Sequence, residues 1–465
     1  MINFIIVDKK EKKLYLLSIL FWIFMWQILA SFVNQEILLV SPISVLIQLF
    51  DMIQIKETWS IIIHSTMGIM LGFFGAFFLG FFLAYLSYRS KIIKIWIAPI
   101  LFGIKSIPVA SFTILLFLFL SSKWLPITIV FFMVLPIVYG NILQGFFDLD
   151  TQLLEVVKVF HITKIKQWRY LYSSELLPYV KTSCFLGVGF AWKSGVAAEV
   201  IGMCRGTIGQ ALYESKIYFD TTLLFAWTII ILLVSFAWEK IIKQLIKQIE
   251  FLLLSPSLSV KDNENKISNR NEILHEIKIE NITKKYKNQV VLDRYNEKII
   301  LPSITAIEGK SGVGKTTLLR CILGLENVNS GRIIGTNNIR FSVVFQENCL
   351  CENLSVLLNI QFVSNQTIDD IKEELKKVGL IGIENKKVKE LSGGMKRRIA
   401  IVRALQVPFD VLILDEPFQG LDESLKEQVI GYIKEKIQNK TVLIVSHNKE
   451  ELEKIGVNSK TYLLQ

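Results

Sequence analysis

Long apolar runs constrain this chain more than any other feature. Residues 14–33, 61–87, 96–120, 125–145, 179–203 and 222–238 are almost free of charge. Each is near or above the ~20 residues that a helix needs to cross a hydrocarbon core. Inside lipid the backbone must satisfy its own hydrogen bonds, so runs of this length predict membrane-spanning helices. The run at 96–120 is the exception in detail, because Lys105 and Pro108 interrupt it. From about residue 274 the pattern changes to short apolar strands alternating with amphipathic stretches, the mark of an α/β domain. The expected fold class is therefore multi-domain: an all-α polytopic membrane domain of about six helices, followed by an α/β domain in which G-x-x-x-x-G-K-T at Gly309–Thr316 points to a P-loop NTPase.

Charge placement sets the orientation. With the N-terminus inside, the cytoplasmic segments hold Lys9, Lys10, Lys12 and Lys13, then Arg89, Lys91 and Lys94. Further along they hold Lys158, Lys164, Lys166 and Arg169, then Lys240, Lys243 and Lys247. The opposite side holds Lys56, Lys123, Arg205 and Lys216. Cationic loops face the cytoplasm, so both termini and the C-terminal domain are expected there, on the inner face of the cell membrane. This asymmetry accounts for much of the net charge of +11, and a nucleic-acid partner is not expected. The run from Leu14 is long enough to span, and no small-residue cleavage site follows, so removal of the N-terminus is not expected. The five cysteines form no paired framework, and a zinc site is not expected from one C-x-C and four histidines.

Three segments are expected: a permease-like domain at 1–248 with its core at about 58–240, a linker at 249–273 and a nucleotide-binding domain at 274–465. Residues 255–273 lose apolar periodicity and are rich in Ser, Asn and Lys. Ser41-Pro42 ahead of Val45, Leu46, Leu49 and Phe50 predicts a short capped amphipathic helix on the outer surface.

The chemistry lies in the last segment. Gly309–Thr316 reads G-x-x-x-x-G-K-T between an apolar strand and a helix start. Glycines here let consecutive N–H groups point at phosphate oxygens, and the helix dipole adds to the attraction. The expected cradle is Gly309, Lys310, Ser311, Gly312, Val313, Gly314, Lys315, Thr316 and Thr317. Lys315 supplies a mobile cation to the β- and γ-phosphates, and the Thr316 hydroxyl is offered to Mg²⁺. The strand VLILDEP ends in Asp415, for the Mg²⁺ shell, and Glu416, to orient or deprotonate the attacking water. A second strand, TVLIVSH, delivers His447 to the same edge. Glu416, His447 and Lys315 are the expected catalytic residues. Ser392, Gly393 and Gly394 form another nest of N–H groups at a helix start.

Together with Tyr286, Gln346 in FSVVFQE, the LSGGM run and Asp422 in GLD, these motifs resemble the ATP-binding cassette family. The resemblance covers residues 275–465. It implies that Tyr286 stacks on adenine and that Gln346, Thr316 and Asp415 serve the metal. It also implies that Ser392, Gly393, Gly394 and Asp422 close over ATP held by a second copy. Met395 stands where the commonest signature carries Gln.

The loop at 146–178 resembles the coupling segment of binding-protein-dependent importers. Glu155 is kept, His161 replaces the usual Gly, and Leu177-Pro178 supplies a Leu-Pro pair. Residues 39–53, 104–118 and 178–202 resemble permeases of the nitrate, sulfonate, taurine and bicarbonate group. Charges inside spans are expected to be functional, so Lys105, Lys193 and Glu199 are candidates for the pathway. For Lys105 the alternative is snorkelling to an interface; for Lys193, pairing with a carbonyl or with Glu199. The resulting expectation is an ATP-hydrolysing half-transporter that homodimerises, takes solute from an extracytoplasmic binding protein and imports a small anionic or polar solute. An exporter of the same domain order, or a membrane ATPase that signals to a partner, are the alternatives.

Overall fold

In the computed structural model, residues 9–33, 35, 37–255, 276–287, 289–310, 312–337, 339–457 and 462–463 are described. The expected linker from 256 onward and Ser311 lie outside them. The chain forms two compact units: residues 1–148 with 176–249, and residues 149–175 with 250–465.

The first unit is helical throughout. Its elements are α1 (Lys9–Val33), α2 (Pro42–Gln54), α3 (Lys56–Arg89), α4 (Lys91–Ser106), α5 (Val109–Phe117) and α6 (Leu125–Phe147). Next in the chain come α7 (Thr151–Val159), α8 (Lys164–Lys166) and a π-helical stretch (Gln167–Tyr172), all in the second unit; the stretch runs into α9 (Ser173–Ile201), which returns to the first unit from Leu176. The series closes with α10 (Ile208–Ile217) and α11 (Thr221–Leu253). Among the described residues, five helices are long and apolar enough to cross a membrane. The sixth expected span is the pair α4 and α5, bent by 101°. Pro108 is the cause: it holds Ile107 extended (φ −80°, ψ 129°) and opens α5. The six-span expectation thus becomes five long apolar helices and one bent pair among the described residues. Helix α11 continues to Leu253, so the stretch after 249 begins as helix.

The packing of α3 on α6 follows from a stripe of small residues. Gly68, Gly72, Ala76, Gly80 and Ala84 recur every four residues on one face of α3. A Cβ on Gly72 would lie 2.5 Å from the Ile127 carbonyl oxygen, and one on Gly80 would lie 3.0 Å from Val138 Cβ. In lipid, where apolar contact alone gives no preference between helices, such close backbone approach supplies the packing energy. Gly195 on α9 abuts Ile69 of α3 in the same way, at 2.6 Å. Helix α2 is capped as expected, Ser41 Oγ accepting from the Ser44 amide. Val45 and Leu49 are buried, while Leu46 and Phe50 stay exposed.

In the second unit, β1 (Glu276–Tyr286), β2 (Gln289–Ile300) and β4 (Ser330–Ile334) make an antiparallel sheet in the order β2-β1-β4. A parallel sheet in the order β5-β6-β7-β3-β8 is built from β3 (Ile304–Glu308), β5 (Phe341–Val344), β6 (Val411–Asp415), β7 (Thr441–Val445) and β8 (Tyr462–Leu463). Strands β6 and β7 are buried at every position, as uninterrupted apolar runs covered on both faces should be. Helices α12 (Lys315–Ile322), α13 (Val356–Val363), α14 (Ile368–Lys377), α15 (Gly393–Leu405), α16 (Glu423–Lys436) and α17 (Lys449–Ile455) complete the unit.

Candidate ATP-hydrolysing site

The parallel sheet delivers the site. Strands β3, β5, β6 and β7 run the same way, so the loops after them share one edge, where open α/β sheets bind ligands. The loop after β3 leads into α12. Gly314 caps that helix at φ 108°, and a Cβ there would meet Val291 at 2.8 Å. Lys315 is buried and donates from Nζ to the carbonyls of Gly309 (2.6 Å) and Lys310 (3.0 Å). The ammonium is thereby held inside the loop it is expected to leave when phosphate arrives. Val313, Gly312 and Lys310 complete the described part of the cradle.

Thr316 and Asp415 converge. The Thr316 hydroxyl donates to Asp415 Oδ2 at 3.0 Å, and both are hard oxygen donors of the kind Mg²⁺ prefers. Burial raises the Asp415 carboxyl above its usual range, opposed by the Thr316 bond. Glu416 follows with φ 48°, a left-handed conformation costly for a non-glycine residue and typical of functional turns. Its amide donates to the Val445 carbonyl at 2.9 Å, and its Oε1 lies 3.4 Å from His447 Nε2. Thus β6 and β7 bring the two expected catalytic groups together. Gln346 is exposed just past β5.

Tyr286 ends β1 with its hydroxyl donated to Glu326, and Lys284 Nζ is 5.0 Å from its ring centroid. Thr317 also bonds the phenol. Burial and the Glu326 carboxylate push the Tyr286 hydroxyl up to about 12, so it remains a donor. Ser392 caps α15, accepting from the Met395 amide at 3.4 Å. Ser392, Gly393 and Asp422 are exposed, and a Cβ on Gly393 would meet nothing within 4 Å.

Arg397 was not foreseen from the sequence. It is 3% exposed and donates to five carbonyls, those of Phe345, Gln346, Asp415, Glu416 and Pro417. Burial lowers it to about 10. One side chain of the signature helix thus holds the loops carrying Gln346, Asp415 and Glu416. The signal was the KRR triplet opening an otherwise apolar helix face.

Residues 149–175 belong to the same unit. Asp150 caps α7, accepting from the Gln152 amide at 2.8 Å. Glu155 takes a bidentate ion pair from Arg320, on the last turn of α12 (Nη1 to Oε2 3.1 Å, Nη2 to Oε1). Leu153, Val156, Ile162, Tyr170 and Leu171 pack with Cys349, Cys351, Leu354, Leu358 and Phe362. Lys166 Nζ donates to the Ser364 carbonyl (3.2 Å) and to Asn365 Oδ1 (2.7 Å). His161, in place of Gly, closes α7 at φ 48°. Burial pushes the Cys349 thiol up to about 11, and among the described residues no cluster of three or more His, Cys, Asp or Glu is placed to hold a metal. Leu177 and Pro178 lie inside α9, in the first unit rather than the docked segment.

The pathway candidates separate in the same way. Lys105 is exposed in the last turn of α4, and Lys193 is exposed on α9. Glu199 is 2% exposed and accepts from Ser65 Oγ and the Gly209 amide, each at 3.0 Å. Its carboxylate is thus spent on joining α3, α9 and α10.

Residues 292–419 match the family model described as ABC transporter, and residues 76–249 match that of the binding-protein-dependent transport system inner membrane component. One polypeptide thus carries a segment similar to binding-protein-dependent inner membrane components, followed by a segment similar to ABC transporter ATP-binding domains. The spermidine/putrescine import ATP-binding protein PotA of Mycoplasma mycoides subsp. mycoides is 38% identical over 193 residues, which are 38% of this chain and 55% of that protein. The Fe(3+) ions import ATP-binding protein FbpC of Brucella melitensis biotype 1 is 35% identical, over 38% of this chain and 55% of that one. The sulfate/thiosulfate import ATP-binding protein CysA of Mesostigma viride is 36% identical, over 39% and 57%. The chain spans about half the length of the curated relatives it matches. A solved dimeric bacterial ABC transporter cassette is 27% identical, with TM-score 0.35, covering 38% of this chain and 90% of that one.

Proposed function

We propose that the chain is an ATP-hydrolysing half-transporter of an importer, working as a homodimer in the cell membrane with its ATPase domain and both termini in the cytoplasm. The observation that carries this reading is the docking of residues 149–175 into the ATPase unit through Glu155 and Arg320. In sequence those residues join two membrane-spanning helices, while Arg320 sits on the helix that opens at the phosphate cradle. Any movement of that helix is therefore felt by the permease.

In this reading Lys315 leaves the Gly309 and Lys310 carbonyls for the β- and γ-phosphates of ATP. The Ser392, Gly393 and Gly394 amides of the second copy, with its Asp422, close over the same nucleotide. Glu416 orients and accepts a proton from the attacking water, and His447 holds the carboxylate and the γ-phosphate side in register. Thr316, Asp415 and Gln346 would hold Mg²⁺, which neutralises charge developing on the phosphates. Closure of the two ATPase domains moves both docked segments and so alternates access through the spans.

The solute is a small polar or anionic compound such as a sulfonate, nitrate or taurine, delivered by an extracytoplasmic binding protein. The resemblance of the permease stretches supports the class, and Lys105 or Lys193 would favour the anion. The cargoes for which the relatives are named differ widely (polyamine, ferric ion, sulfate), consistent with the ATPase domain not selecting solute. Uptake of radiolabelled taurine, nitrate and an alkanesulfonate, measured in cells co-expressing a matching binding protein, tests the reading. One of these should accumulate with the wild-type chain and not with Lys315→Ala. Accumulation independent of Lys315 would contradict ATP-driven import.

A further inference from the structure

A run of charged groups joins the docked segment to the far end of the nucleotide site. Arg320 gives two nitrogens to Glu155 on α7 and keeps Nε for Glu326 Oε1, at 2.8 Å. The other Glu326 oxygen accepts the Tyr286 hydroxyl and lies 3.1 Å from Lys284 Nζ. Lys284 in turn lies against the Tyr286 ring. Hence one carboxylate receives both the guanidinium that reads Glu155 and the phenol at the end of β1.

The chemistry makes this arrangement sensitive to Glu155. A guanidinium presents its donors in a rigid plane, and here that plane is divided between two carboxylates. Side-chain exposure is 17% for Glu155, 30% for Arg320 and 18% for Glu326, so the charges are partly shielded and couple more strongly than surface pairs do. Without the Glu155 carboxylate, Arg320 is free to turn its fork onto Glu326 and take both oxygens. It then competes with the Tyr286 hydroxyl for Oε2, and the phenol loses its carboxylate acceptor, keeping only its bond with Thr317.

We propose that Arg320 and Glu326 are positioning residues through which Glu155 of the permease segment sets the orientation of Tyr286 and so the affinity for the adenine base. The inference rests on the proposed function, in which Tyr286 stacks on adenine. It adds to that reading a path from the transport domain to base recognition, separate from the phosphate cradle.

The test is a double-mutant cycle read as binding affinity. Purified full-length chain is titrated with ATP and, separately, with inorganic tripolyphosphate, which has no base. Mg²⁺ is omitted so that no nucleotide is consumed. Glu155→Gln should weaken ATP about three- to tenfold and leave tripolyphosphate within about twofold. Tyr286→Phe, which keeps the ring and removes only the hydroxyl, should weaken ATP to a similar degree, and the double variant should be no weaker than either. Additive losses, or equal weakening of tripolyphosphate, would overturn the inference, since the effect would then run through α12 and the phosphates. Unchanged ATP binding in Tyr286→Ala would overturn it together with the stacking on which it rests. Normal stacking with a silent Glu155→Gln would overturn it alone. If Glu155→Gln does not fold, Arg320→Lys keeps the charge, loses the fork and should give the same pattern.

Discussion

Arg397 shows how much of this site depends on residues that never touch substrate. Its five carbonyl contacts fix the loops bearing Gln346, Asp415 and Glu416 from a buried position. A lysine would keep the charge but serve at most three acceptors from a point. Arg397→Lys should therefore lower ATP turnover at least tenfold, about 1.4 kcal/mol in the barrier, in a steady-state phosphate-release assay. Glu374 is a second test at this scale. Burial opposes its ionisation, but hydrogen bonds from Tyr432 and Lys436 win and hold its carboxyl at about 2. A depressed carboxyl stabilises the fold fully above its unfolded value of 4.5 and loses that contribution as pH falls toward 2. At pH 7, Glu374→Gln should melt below wild type, and the gap should narrow steadily between pH 4.5 and 2. A constant gap in thermal melts across that window would refute the assignment.

At the scale of elements, the docked segment repays attention to one backbone angle. Helix α7 closes with His161 donating to the Lys158 carbonyl (3.3 Å) and Ile162 to the Val157 carbonyl (3.1 Å), the bond pattern that usually takes glycine at the left-handed position. His161 adopts that conformation at φ 48°, at a cost of about 1 kcal/mol or more. His161→Gly should relieve it and, after the greater freedom that glycine has when unfolded, raise stability by about 0.5–1 kcal/mol, measured by chemical denaturation. Apolar runs made most of the elements readable in advance. Length alone gave five spans, and turn chemistry flagged Pro108 as the break in the sixth. The cradle, β6 and β7 were readable because their glycines, lysine and carboxylates lie consecutively. What was not readable is long-range: Glu155 meets Arg320 across 165 positions, and Arg397 meets Glu416 only once the sheet has folded. The small-residue stripe of α3 has a plain four-residue spacing, but its partner, α6, is fixed only by packing. Only the resemblance of the 146–178 loop to importer coupling segments pointed residues 149–175 toward the ATPase unit, since chain order places them between spans.

Under the proposed function, the whole molecule is half of an engine. One chain carries one phosphate cradle and one signature nest, and the exposed Ser392 and Gly393 have room for a ligand held elsewhere. A second copy would complete both sites, in keeping with the symmetry most homo-oligomers adopt. The permease would then move because segments on each side are built into the ATPase unit. All of this requires that Glu416, strained at the end of β6 and set against His447, performs hydrolysis. The direct measurement is steady-state ATP hydrolysis by purified full-length chain in lipid nanodiscs, wild type against Glu416→Gln. Wild type should turn over ATP, and the variant should bind it but lose at least a hundredfold in rate, about 2.7 kcal/mol in the barrier. Undiminished turnover by Glu416→Gln, or none by the wild-type chain, would contradict the account.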